Sequence, residues 1–90
     1  MISYIVACEY INGIKSYITN VDPVLWSRDI AFAKRFYSID DMINDLRFDM
    51  DYLYGLLNNH EYIKDIYYIE YNDDKYICSK RLIRWFMIRH

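Results

Sequence analysis

The feature that most constrains this chain is a helical stripe. Ile43, Leu46, Met50, Leu53 and Leu57 recur at spacings of three and four within residues 39–58. One side of that segment is therefore apolar and needs a facing layer to bury it. Ser38 stands where a cap is needed, and Asp40 and Asp41 fall in the first turn, where carboxylates suit the positive end of a helix. Asn58-Asn59 predicts the stop, because asparagine accepts the left-handed conformation at a helix end.

The facing layer is predicted to be strands. Tyr4–Ile11 and Ile14–Thr19 flank Asn12-Gly13, a dipeptide suited to a two-residue type I′ turn. Such a turn sets Ile11 against Ile14, Glu9 against Ser16 and Ala7 against Ile18 on one face. It sets Tyr10 against Lys15, Cys8 against Tyr17 and Val6 against Thr19 on the other. One face packs on the helix; the pattern leaves open which. Asp22-Pro23 breaks the second strand, and a short third strand is expected around Ala33–Tyr37. A second hairpin is predicted from Asp65–Tyr71 and Lys75–Ser79 around the turn cluster Asn72-Asp73-Asp74. Leu82, Trp85 and Phe86 suggest a short C-terminal helix within residues 80–90. The expected fold is α+β, a small antiparallel sheet of two hairpins packed against one main helix, with residues 1–90 forming a single domain.

Bulky side chains must do the packing, since the chain has two Gly, one Pro and eleven Tyr. A tyrosine buries a ring but keeps a polar tip that needs water or a partner. Many of the eleven should therefore be half-exposed. An AT-rich genome would produce the same bias without any function. Cys8 and Cys78 are the only cysteines, and without a secretory signal they read as free thiols in a reducing, cytoplasmic setting. No apolar run approaches the length of a membrane span, so no membrane partner is expected.

Net charge is −2, but it is unevenly distributed. Residues 39–74 hold ten acids and two bases, whereas residues 75–90 hold five bases and no acid. Two candidate surfaces follow. On the helix, Phe48 falls opposite the stripe and shares a flank with Asp41, Asp45 and Tyr52, the mix of aromatics and carboxylates that suits a protein-binding patch. The alternative is a solvated acidic face with Phe48 beneath a neighbouring strand. The acids Asp40, Asp41, Asp45, Asp49 and Asp51, with Asp73 and Asp74, can also be read as an imitation of a phosphate backbone. In the tail, Lys80, Arg81, Arg84 and Arg89 interleave with Trp85 and Phe86, a pattern that suits nucleic-acid contact. The alternative there is that the arginines cover the acidic helix.

Catalysis is not expected. His60 and His90 lack metal-ligand spacing, Ser79 has no flanking elbow glycines, and no glycine loop with a lysine cradles phosphate. Neither a metal nor a cofactor is called for.

Trp26-Ser27-Arg28-Asp29, Ala33-Lys34-Arg35-Phe36 and Ser38-Ile39-Asp40-Asp41-Met42 together resemble a pattern in small uncharacterised proteins of Gram-positive bacteriophages. There a hairpin leads to a Trp, an Ala-x-x-Phe segment and a Ser-capped helix; Met42 replaces the usual small residue. The resemblance implies a phage origin; by analogy with other small acidic phage proteins without catalytic residues, the expected role is an accessory protein that inhibits a host defence component, such as a CRISPR effector nuclease or its nucleic-acid channel, by stoichiometric binding in the host cytoplasm. Two other readings stand beside it: a nucleic-acid-binding or regulatory protein using the basic tail, and a small structural protein that forms a homodimer through an exposed strand edge.

Overall fold

The structure is a computed structural model and describes residues 1–82. One antiparallel five-stranded sheet packs against one helical segment, an α+β fold. The strands are β1 (Ile2–Tyr10), β2 (Lys15–Asn20), β3 (Leu25–Ser27), β4 (Ile63–Asn72) and β5 (Lys75–Arg81), in the spatial order β3-β2-β1-β4-β5. The two predicted hairpins are β1-β2 and β4-β5, and they join through β1 and β4 at the centre of the sheet.

The first hairpin differs from its predicted register by one residue. Its loop has three residues, Ile11–Gly13, closed by hydrogen bonds from the Tyr10 N–H to the Ile14 carbonyl (2.8 Å) and from the Gly13 N–H to the Tyr10 carbonyl (2.9 Å). Only Gly13 takes a positive φ, +88°, so the type I′ turn does not form. Ala7 pairs with Tyr17, Cys8 with Ser16 and Glu9 with Lys15. This register brings Ile18 to the same face as Val6 and Cys8, and all three are buried in the main core. The predicted register would have placed Ile18 on the other face, and the need to bury it outweighs the turn preference of Asn-Gly.

The expected strand at 33–37 is absent. The third strand is Leu25–Ser27, on the edge beside β2. Of the 33–37 segment, Phe36 alone bridges, exchanging two backbone hydrogen bonds with Tyr4. Its ring is buried in the main core.

The helix begins where expected. The Ser38 Oγ accepts the Asp41 N–H at 3.0 Å. The segment is not continuous: α1 (Ile39–Leu46) and α2 (Met50–Asn59) are joined by a 3-10 turn at Arg47–Asp49. A 3-10 turn advances about 120° per residue rather than 100°, so α2 is rotated by about 60° from the position a continuous helix would give it. Leu46, Met50 and Leu53 are buried as predicted, but Met42 joins them, while Ile43 and Leu57 are only half-buried. Neither Asn58 nor Asn59 takes a left-handed conformation; the helix ends in extended His60, whose N–H still bonds the Leu56 carbonyl.

At the other end of the chain, β5 runs two residues past the predicted Ser79 and takes in Lys80 and Arg81. They belong to a strand, not to a C-terminal helix; Leu82 is buried in the main core, and residues 83–90 of that expected helix lie outside the described residues. No helix among the described residues is long and apolar enough to cross a membrane.

Candidate interaction surfaces

The sheet has two unlike faces. The inner face contributes Val6, Cys8, Ile18, Ile66 and Tyr68 to the core beneath the helices. Among the described residues, the outer face buries Ile5, Ala7, Tyr67 and Ile69 with no α-helix over them; Ala33, which ends a 3-10 turn at Ile30–Phe32, packs against this cluster. Small Ala7 lies in register between Tyr17 on β2 and Tyr67 on β4, and both rings pack with it in the outer cluster.

On the helical layer, Phe48 sits in the 3-10 turn and is 69% exposed. No strand among the described residues covers it, so the alternative of a ring beneath a neighbouring strand is not found there. The Arg47 guanidinium lies 4.6 Å from the ring centroid. Tyr52, on α2, is 45% exposed, and its hydroxyl accepts the Trp26 indole N–H at 3.0 Å. Asp41 is exposed and Asp45 half-buried, both on α1. The four residues share one helical segment, but the 3-10 turn separates the two acids from Tyr52. Asp49 departs from the predicted acidic run. It is buried, and its Oδ2 accepts the Asp22 N–H at 3.1 Å, which ties the β2-β3 turn to the helix. Its carboxylate is committed to the fold rather than offered as a phosphate substitute.

The outer face carries a groove of about 490 Å³. Its floor is Tyr67 and Ile69; Glu9, Lys15, Lys64 and Asp65 line one side, and Tyr76, Ser79, Lys80 and Arg81 on β5 line the other. Lys64 is the extra residue of a bulge opposite Glu9 and Tyr10, which aims it at the groove. Lys64 Nζ lies 3.9 Å from Glu9 Oε2, and Arg81 Nε lies 2.9 Å from Asp65 Oδ2. Lys15 stands beside Tyr67, whose nearness raises the lysine pKa; burial raises that of Tyr67, partly opposed by Lys15. The Tyr76 hydroxyl meets Ser79 Oγ at 3.4 Å. Its ring meets Tyr71 edge-on, at 82° and 6.4 Å between centroids.

The basic residues predicted as a tail surface are thus divided. Arg81 lines the groove and binds Asp65 of β4 rather than covering the acidic helix, whereas Lys80 pairs with inner-face Tyr68 and directs its side chain to the opposite face of β5. Arg84, Trp85 and Arg89 lie outside the described residues. Sequence reasoning did not find Lys15, Lys64, Tyr67 and Tyr76 as neighbours. The alternation Asp65, Tyr67, Ile69, Tyr71 was the available signal, since it marks one face of β4.

Among the described residues, no three His, Cys, Asp or Glu side chains come together as a metal site. Cys8 is buried, and burial, aided by the charge of Asp65, pushes its thiol up to about 11, away from reactive thiolate. No family model matches the chain, and no curated protein or solved structure matches it.

Proposed function

We propose that this chain is a stoichiometric binding protein that docks a protein partner through Phe48 on its acidic helical layer. The exposure of Phe48 carries the reading. A phenylalanine left in water forgoes about 1.5–3 kcal/mol of burial, which a partner recovers by covering it. Residues 39–62 hold five acids besides the buried Asp49, against the single base Arg47. The complementary surface is therefore an apolar pocket rimmed by lysine and arginine. A nucleic-acid channel in a nuclease supplies such basic rims, which accords with the partner expected by analogy from a phage origin: a host defence nuclease of the CRISPR type, met in the host cytoplasm.

A plasmid-interference assay tests this. Expression of the chain should relieve restriction by the CRISPR nuclease, and Phe48→Ala should abolish the relief at unchanged protein level and melting temperature. Full relief by Phe48→Ala would overturn the docking surface. No relief by the wild-type chain would overturn the partner class.

A further inference from the structure

We propose that the face of the sheet away from α1 and α2 is a binding site for single-stranded nucleic acid, centred on the groove between Lys15 and β5. This proposal stands on a different surface and does not depend on the role of Phe48.

Charge is the first support. Three cationic side chains, Lys15, Lys64 and Arg81, line the groove with two carboxylates, Glu9 and Asp65; Lys80 pairs with inner-face Tyr68, so its side chain leaves β5 on the helix side. Each carboxylate already faces a cation of its own, Lys64 and Arg81 respectively. Lys15 adds a positive charge that the groove's acids do not balance. A polyanion entering the groove also competes for Lys64, whose contact with Glu9 is long, at 3.9 Å. Five of the chain's 13 acids lie on the helical layer across the sheet, so the overall pI of 5.5 does not describe this face.

Aromatic placement is the second support, and it favours nucleic acid over an acidic peptide. Tyr76 is 61% exposed beside these cations. Its edge-on contact with Tyr71 and its hydroxyl contact with Ser79 hold the ring in place. A fixed, exposed ring among cations is a stacking platform for a base whose phosphates lie on the lysines. A cavity of this size takes about one or two nucleotides. A duplex keeps its bases stacked inside and offers none to Tyr76, so the site selects single strands.

Fluorescence anisotropy of a labelled oligothymidylate of about twelve nucleotides tests the proposal. Binding should appear at about 50 mM salt and weaken roughly sevenfold by about 200 mM, as expected if Lys15 and Lys64 each neutralise a phosphate. Lys15→Glu with Lys64→Glu should weaken binding more than about tenfold at low salt. Tyr76→Ala should weaken it about tenfold and Tyr76→Trp should restore it, while Tyr62→Ala, which removes an equally exposed ring outside the groove, should have no effect. Thermal melting checks that each variant folds. No anisotropy change at low salt would overturn the proposal. So would equal losses from Tyr76→Ala and Tyr62→Ala, or an oligoglutamate peptide that competes as well as the oligonucleotide; the last would make the groove a site for acidic peptides.

Discussion

The indole N–H of Trp26 donates to the hydroxyl of Tyr52 at 3.0 Å, across 26 positions of sequence. This bond ties the edge strand β3 to α2, and it gives Tyr52 a structural task besides any role in docking. Tyr52→Phe removes the acceptor and keeps the ring. We expect a loss of about 0.5–1.5 kcal/mol in urea unfolding, with a shift in tryptophan emission that Phe48→Ala does not produce.

Asp49 makes a comparable tie. Asp49→Ala leaves the Asp22 N–H without its carboxylate, which should cost about 1–3 kcal/mol. Asp49→Asn keeps an acceptor oxygen and should cost less. Urea denaturation of the two variants separates the lost hydrogen bond from the lost charge.

Gly13 takes φ +88° with nothing within 4 Å of an added Cβ. Substitution there meets no clash, so its cost is conformational. Gly13→Ala should destabilise by about 1–2 kcal/mol, and Gly13→Asn by less, because asparagine enters the left-handed region more readily. Equal losses for the two in thermal melts would contradict this.

Cys8 predicts an alkaline limit. Its thiol ionises near 9 when unfolded and at about 11 when folded, so the folded state holds the proton more tightly. The resulting stability is fully present below the lower value and is lost as pH rises through the upper one. Tyr67, Tyr68 and Tyr71 are also raised by burial above their ordinary value of 10.0, and they extend the loss to higher pH. Cys8→Ala should therefore delay the fall in urea midpoint between about pH 9 and 11 without removing it.

What the sequence revealed was local. The Ser38 cap and the burial of Leu46, Met50 and Leu53 were legible because each depends on neighbours within a few residues. Met42 lies four residues before Leu46 and so on the same side of the helix, a neighbour that the stripe through Ile43 passed over; the 3-10 turn at Arg47–Asp49 shifts the helical phase only beyond Leu46, and nothing in Arg-Phe-Asp announces such a turn. The hairpin register escaped because Asn12-Gly13 serves a three-residue loop as readily as a two-residue one; only the burial of Ile18 with Val6 and Cys8 decides between them. The groove was the least legible feature. Lys15, Lys64 and Tyr76 come from three strands, and their meeting depends on a pairing of β1 with β4 that no short stretch encodes.

Placing acids on the helices and bases around the outer groove has an effect that net charge conceals. A chain of charge −2 built this way has a molecular dipole, so it rotates in the field of a charged neighbour before touching it. A polyanion draws the sheet face toward itself, and a polycation draws the helices. Orientation is thus selected during approach, and added salt should slow both encounters by screening that field.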